Sequence, residues 1–184
     1  YSVNVRTGKV ECLKSLLNIP TTVLPINLGL YFDPLKANEV SHYMPKGWRF
    51  NYNQKITANN EGYEYIDGVG GHHQFKASYN NSNVYFDIAG TGLVLTKLGS
   101  TYTIEDGYDN KLAFNSLGNL YRVINNLNGN EYGIQIDYIP TTNCISSIKE
   151  YIKLLTDSQA TLTEKVTITY NSSATGFTIT SSGF

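Results

Sequence analysis

The stretch YEYIDGVGGHHQF, residues 63–75, decides the fold class because a version of it occurs again further along the chain. When Asp67 is placed over Asp106, Phe75 falls on Phe114, at an offset of 39 residues without a gap. In both copies, alternating apolar residues lead into an acid–glycine pair, and alternating apolar residues lead out of it. Acid–glycine pairs tolerate the positive φ angles of tight turns, so the repeat indicates β-hairpins.

The turns of these hairpins are predicted at acid–glycine and amide–glycine pairs. A third and weaker copy contains Asn128-Gly129, with Ile136 seven residues beyond the glycine. Two-residue type I′ turns require positive φ at both central positions, which these pairs accept best. The predicted turn residues are Asp67, Gly68, Asp106, Gly107, Asn128 and Gly129.

The apolar pattern around the turns predicts the fold class. Alternation with period two places Tyr63, Tyr65 and Phe75 on one face of the predicted sheet. The segment ISSIKEYIKLL, residues 145–155, fits an amphipathic helix and a strand nearly equally, and we expect a hairpin strand because turn-like residues 156–159 follow it. The sequence predicts an all-β protein, an antiparallel meander of hairpins in an open, curved sheet, with at most one short helix.

The adjacent histidines His72 and His73 raise the question of a metal or catalytic site. Zinc requires three or four converging ligands, and the chain has only one further histidine, His42. Asp67, directly before a turn glycine, is expected to form the turn rather than to act as a general acid or base. We therefore expect no metal site, no cofactor and no catalytic residue. A small enzyme centred on His72, His73 and Asp67 is the alternative.

Charge, hydropathy and cysteine content narrow the classes of partner. The 184 residues carry a formal net charge of -1, so no electrostatic footprint for nucleic acid is visible. No apolar run approaches the roughly 20 residues that a membrane helix needs, so membrane insertion is not expected. Cys12 and Cys144 are expected to be two buried free thiols, with a single long-range disulfide as the alternative.

The order of several motifs resembles the Rhs/YD-repeat family. GWRFNY, residues 47–52, matches the "GWR-x-x-Y" entry to the repeats, and residues 102–114 resemble the "Y-x-L-x-x-x-D-G … x-F" unit. Residues 118–130 resemble "G-x-L … D-x-x-GN", with Asn in place of the usual Asp. LPINLGLY, residues 24–31, resembles the lead-in before GWR. The family's self-cleaving region has no counterpart among these motifs.

This resemblance implies a division of the chain and a role. Residues 1–46 would be lead-in strands, residues 47–140 YD-repeat-like hairpins, and residues 141–184 a further hairpin of uncertain relation. Such repeats imply the beginning of a strip of hairpins that spirals around a hollow in secreted or cell-surface bacterial proteins associated with toxins. The chain is then expected to be a fragment of a longer protein, a structural scaffold that encloses, displays or delivers another domain. Its partners would be further repeats or another chain pairing at the sheet edges.

The aromatic content supports a second hypothesis. Aromatic residues make up 12% of the chain, and most of them are tyrosines. An exposed set could bind sugar rings, with Trp48 and Tyr52 as the possible platform. The alternative function is therefore an extracellular carbohydrate- or protein-binding module whose partner is a glycan or a cell-surface receptor.

Overall fold

The computed structural model describes residues 2–4, 9–32, 44–171 and 176–182, so His42 lies outside the described residues. Every regular element within these ranges is a β-strand, and the strands pair antiparallel with their neighbours in the chain. The predicted all-β meander is confirmed. None of the described residues belongs to a helix long and apolar enough to cross a membrane.

The described strands form two sheets. The first sheet has the order β1-β2-β3-β4, with strands Ser2–Asn4, Lys9–Ile19, Ile26–Phe32 and Trp48–Phe50. The second sheet has twelve strands that follow the order of the chain from β5 to β16. These strands are Lys55–Asn59, Gly62–Ile66, His72–Ala77, Val84–Asp87, Val94–Leu98, Thr101–Glu105, Asn110–Phe114, Leu120–Leu127, Asn130–Tyr138, Ile145–Lys153, Thr161–Tyr170 and Phe177–Ser181.

The sequence repeat is also a repeat of strand register. Tyr63 of β6 pairs with Phe75 of β7, and Tyr102 of β10 pairs with Phe114 of β11. Each further pair of the second hairpin is the corresponding pair of the first hairpin moved by 39 residues. Tyr63, Tyr65 and Phe75 are buried, as the alternation predicts for one face of a sheet.

The boundaries drawn from the sequence differ from the boundaries between the sheets. β4, which holds the GWR motif, pairs with β3 and so belongs to the first sheet. Residues 145–153 form strand β14, not a helix, and pair with β13 and β15. The last three strands therefore extend the sheet that residues 55–138 begin.

The twelve-stranded sheet curls so that the start of its first strand meets the turn between β11 and β12. Ile56 of β5 donates its N–H to Gly118 O at 2.8 Å, and Leu120 donates its N–H to Gln54 O at 3.1 Å. The rings of Tyr65 and Phe114 then lie edge to face, 5.6 Å apart. One end of the sheet thus wraps its own apolar side chains, among them the fully buried Phe75, Leu95, Phe114 and Leu120.

The first sheet covers the inner face of the last strands. Phe50 of β4 contacts Phe177 of β16, with ring centroids 5.1 Å apart. The two sheets share one apolar cluster. Its fully buried members from this region are Ile26, Leu28, Ile134, Ile145, Ile148 and Val166.

A buried carboxylate joins the two sheets within this apolar contact. Glu150 of β14 is only 8% exposed; it accepts the Thr22 N–H at 2.7 Å and pairs with Lys165 Nζ at 3.3 Å. Burial alone would raise the pKa of the Glu150 carboxyl, but the bond from Thr22 and the charge of Lys165 outweigh burial and lower this pKa. The carboxylate is therefore ionised and satisfied where the loop after β2 meets β14.

Replacement of Gly118 tests the contact that curls the sheet. Gly118 and Gly107 have nearly the same positive φ, 77° and 78°. A Cβ at Gly118 would overlap the carbonyl of Ile56, whereas a Cβ at Gly107 would meet no atom within 4 Å. We expect Gly118→Ala to lower the free energy of unfolding by about 1–3 kcal/mol more than Gly107→Ala does. Urea unfolding of both variants measures this difference, and equal losses would contradict the proposed constraint.

Replacement of Glu150 tests the junction between the sheets. Glu150→Gln is expected to lower the free energy of unfolding by about 1–3 kcal/mol at about pH 7, because a buried charged hydrogen bond is lost. Because the pKa of Glu150 is lower in the folded chain than its ordinary value of 4.5, the charge contributes its full stabilisation when the pH is above 4.5. This stabilisation is lost as the pH falls through the pKa of the folded chain. Urea unfolding across the acid range should show the variant and the natural chain converging.

Glu61 supplies the matched control for this experiment. Its side chain is 64% exposed and pairs with Lys76 at 3.3 Å. Because exposed ion pairs contribute little, Glu61→Gln should change stability by less than about 0.5 kcal/mol at any pH. A difference for Glu150→Gln that persists at low pH would show that the charge is not the cause.

Candidate functional site

The turn between β6 and β7 has five residues, 67–71, and Asp67 organises it. The Asp67 carboxylate accepts the N–H groups of Val69 at 2.9 Å and Gly71 at 2.7 Å. The backbone N–H of Asp67 donates to the Gly71 carbonyl, and the Asp67 carbonyl accepts the Gly70 N–H. Asp67 is thus a turn former whose side chain replaces backbone partners inside the loop.

The same five-residue turn occurs twice more. The Asp106 carboxylate accepts the N–H groups of Tyr108 and Asn110, and the Asn115 side chain accepts those of Leu117 and Asn119. The hydrogen bond from the Asn110 side chain is the main cause that lowers the pKa of Asp106, and backbone hydrogen bonds within the turn lower it further. An Asp or Asn whose Oδ1 accepts the N–H groups two and four residues later is therefore the recurring unit of this sheet.

The predicted type I′ geometry is correct for only one of the three predicted pairs. Asn128 and Gly129 both have positive φ and form a two-residue turn in which Leu127 pairs with Asn130. Gly68 does not have positive φ, and in that turn Gly70 has it instead. The two-residue expectation fails at residues 67–68 and 106–107, because the carboxylate draws in later amides and enlarges the loop.

The density of glycine in this first turn has a packing cause. The turn lies on the first sheet, where a Cβ at Gly70 would overlap the buried ring of Tyr31 of β3. A Cβ at Gly68 would approach the Asn51 carbonyl closely. Glycine therefore allows the turn to approach β3 and the end of β4.

The two adjacent histidines point to opposite faces of β7. His72 is exposed and contacts Glu64 at 2.8 Å, whereas His73 lies on the inner face and stacks on the Tyr65 ring. The Nε2 atom of His73 is 3.3 Å from Asp67, and its Nδ1 atom is 3.9 Å from Asp87. The imidazole thus lies between two carboxylates.

This geometry does not assemble a metal site or a nucleophile. The two ring nitrogens of His73 face different carboxylates, so the three groups do not converge on one point. Among the described residues, no group of three or more His, Cys, Asp or Glu is placed to hold a metal ion. The hydroxyl of Thr91 donates to Asp87 rather than to His73. The contacts of His73 instead tie the β6–β7 turn to the end of β8.

The predicted aromatic platform, Trp48 and Tyr52, is not an exposed surface. Tyr52 is only 8% exposed, and its hydroxyl accepts the Asn27 N–H at 3.2 Å. Burial is the main cause that raises the pKa of Tyr52 to about 12. Trp48 is half-buried, with its ring 5.3 Å from that of Phe32. The platform expectation is therefore wrong for Tyr52, which packs the first sheet against the core.

The two cysteines do not pair with each other. Cys12 and Cys144 form no disulfide, and both are half-buried rather than fully buried. The disulfide alternative is not realised in the structure.

A cluster that the sequence did not reveal lies at one end of the inner face. The Tyr63 ring is met by the rings of Tyr85, at 4.8 Å, and Tyr102, at 5.2 Å. Lys97 Nζ lies 5.9 Å from the centroid of the Tyr63 ring. The sequence did hold one signal for this cluster. Lys97 comes two residues after the buried Leu95, and alternation with period two places both residues on the core face.

The two edges of the large sheet differ in their protection. The edge strand β5 contains Lys55, and its first residues bond to the turn at residues 115–119. The edge strand β16 reads FTITS, without a charge or a proline. Charges and covering loops protect sheet edges from pairing with other chains. β5 is protected in this way, whereas no residue that the structure describes protects β16.

The register of β16 identifies its outward-facing backbone groups. Asn171 donates to Gly176 O, and Ser182 donates to Lys165 O, both at 3.0 Å. Because hydrogen-bonded pairs alternate along an antiparallel ladder, residues 178 and 180 bond to β15. The N–H and C=O groups of Phe177, Ile179 and Ser181 therefore point away from β15.

Replacement of Asp67 tests its role in the turn. Asp67→Ala removes the acceptor for two amides and should lower the free energy of unfolding by about 1–2 kcal/mol. Asp67→Asn keeps the acceptor oxygen and should cost less than about 0.5 kcal/mol, because Asn115 already makes the same pair of bonds. Urea unfolding and amide exchange at Gly71 measure both effects. Equal losses in the two variants would show that the charge of Asp67, rather than its geometry, matters.

No protein-family model matches this chain, and no curated protein matches it. The resemblance of residues 47–140 to the Rhs/YD-repeat family therefore stays a prediction from the sequence. Conclusions about function rest on the geometry of the chain itself, above all on the unequal edges of its larger sheet.

Proposed function

We propose that this chain is a non-catalytic structural segment of a larger secreted or cell-surface protein, which forms part of a scaffold or shell. The observation that carries the proposal is the contrast between the edge at β5, which is protected, and the edge at β16, which none of the described residues protects. A sheet that can be extended at one edge only is suited to begin a longer strip of hairpins. The proposed role is to enclose, display or deliver another domain.

The packing of the inner face supports a position at the end of such a shell. A hollow wall would leave its inner face open, but here Phe75, Leu95 and Phe114 are fully buried. The start of β5 closes one end of the sheet by bonding to the turn at residues 115–119, and the first sheet covers the inner face at the other end. The chain thus resembles a packed end from which a wall continues.

The polar clusters also suit a structural role. Asp67 bonds to its own turn, and Glu150 joins the two sheets. On the outer face, Asp137 pairs with Lys149 at 2.7 Å and accepts hydrogen bonds from Gln135 and Ser147. Each of these carboxylates is held by groups of the fold, as a scaffold requires.

The partner expected at β16 is an antiparallel strand, supplied by further repeats or by another chain. Such a strand would bond to the outward-facing groups of Phe177, Ile179 and Ser181. Backbone pairing tolerates many sequences. The affinity would therefore come from the backbone hydrogen bonds between the two strands, and the side chains would set the register. The isolated chain should then associate with itself through this edge.

A lysine at position 178 tests this edge. Thr178 is exposed, and a charge on an edge strand opposes pairing with a further strand. We expect Thr178→Lys to weaken self-association of the chain by about tenfold or more without changing its stability by more than about 0.5 kcal/mol. Sedimentation velocity over a range of concentrations measures association. Hydrogen exchange at Phe177 and Ile179 should slow as the natural chain associates.

Thr169→Lys is the matched control. Thr169 is also exposed, pairs directly with Thr178, and lies one strand in from the edge. The Thr169→Lys substitution should leave self-association unchanged. A natural chain that stays monomeric at all concentrations, or equal effects of the two lysines, would contradict the proposal.

A further inference from the structure

The tyrosine–lysine cluster on the inner face consists of Tyr63, Tyr85, Tyr102 and Lys97, and it comes from four different strands. Tyr63 lies on β6, Tyr85 on β8, Lys97 on β9 and Tyr102 on β10. Lys97 and Tyr102 are a directly opposed pair in the ladder between β9 and β10. The curl of the sheet brings β6 across them, so the cluster exists only in the folded chain.

Lys97 differs from four other strand lysines in the groups that surround its charge. Lys76, Lys111, Lys149 and Lys165 each lie within 4 Å of an acidic side chain. Within the described ranges, Lys97 forms no such ion pair, and its nearest charged or titratable neighbours are the three phenols of the cluster. The neighbouring phenol of Tyr63 is the main cause that raises the pKa of Lys97, so the amine is protonated at neutral pH.

The cluster packs around Tyr63, and the other three side chains remain partly accessible. The rings of Tyr85 and Tyr102 and the amine of Lys97 all lie against the Tyr63 ring. Tyr85, Tyr102 and Lys97 are half-buried rather than buried. The cluster therefore presents one positive charge beside two half-exposed tyrosines.

This set of groups matches the chemistry of an acidic sugar. Each phenolic hydroxyl can both donate and accept a hydrogen bond, as a sugar hydroxyl does. The ammonium group of Lys97 forms charge-assisted bonds with a carboxylate. The half-exposed rings of Tyr85 and Tyr102 add apolar surface beside their polar ends, which suits the C–H faces of a sugar.

We propose that Lys97 and the tyrosines of this cluster form a binding site for a carboxylate-bearing carbohydrate. The ammonium group of Lys97 would bind the carboxylate, and the hydroxyl groups of Tyr85 and Tyr102 would bind sugar hydroxyls. Tyr63 is 7% exposed and holds the other three side chains in place. This site is independent of the β16 edge and does not require that the proposed scaffold role be correct.

The test is titration of the isotope-labelled chain with a panel of uronic and sialic acid mono- and disaccharides, followed by NMR. At least one acid is expected to shift the signals of Lys97, Tyr85 and Tyr102, and its methyl ester should shift them far less. Lys97→Ala should weaken binding by about tenfold or more, because a charged hydrogen bond is lost. Tyr85→Phe and Tyr102→Phe keep the rings and should each weaken binding by about threefold to tenfold.

Lys111→Ala is the matched control. Lys111 is a strand lysine that pairs with Glu105 at 2.8 Å, away from the cluster, and its loss should leave binding unchanged. Acetate and inorganic sulfate separate a sugar site from a simple anion site. Shifts by either ion as strong as those by the best sugar acid would overturn the assignment. So would a panel that leaves Lys97 and the tyrosines unshifted, or equal binding of acid and ester.

The results of this experiment and of the edge experiment are distinguishable. Thr178→Lys should change association and leave sugar binding intact, whereas Lys97→Ala should do the reverse. Loss of sugar binding in Thr178→Lys would contradict the independence of the two sites.

Discussion

Two backbone hydrogen bonds determine the shape of the large sheet: Ile56 donates to Gly118, and Leu120 donates to Gln54. Each contributes about 0.5–1.5 kcal/mol, which is small beside the burial of Phe75 and the other apolar side chains at about 25 cal/mol per Å². Burial therefore supplies most of the energy of the curl, and the bonds specify where the sheet meets itself. The inner face at this end of the sheet, including the acidic-sugar site proposed above, depends on this contact.

Much of the fold could be predicted because its information is local. A repeat at 39 residues sets the same register in two hairpins, and period-two alternation identifies Tyr63 and Phe75 as core residues. The turn geometry was less accessible. An Asp before a glycine suits a two-residue turn, but the Asp67 side chain accepts two amides and enlarges the loop. The pattern of apolar residues does not show whether an Asp side chain accepts backbone N–H groups in a turn.

The candidate site residues were harder to predict because their environment is not local. Tyr52 looked available for binding from its position after GWR, but the first sheet folds over it. The sequence analysis did not single out Lys97, and only the curl places it beside Tyr63. His72 and His73 followed the simple rule that neighbours in a strand face opposite sides. Contacts within a strand were thus predictable, and contacts across the curl were not.

The strict chain order of the large sheet affects how the protein can fold during synthesis. Each strand pairs with the one made just before it, so hairpins can form in sequence as the chain leaves the ribosome, with little loop entropy to overcome. The crossing at Gln54 is the exception, since it must wait until Leu120 has emerged. Until then, the growing ribbon exposes its apolar side. The last hairpins are thus added to a base that has already folded onto itself.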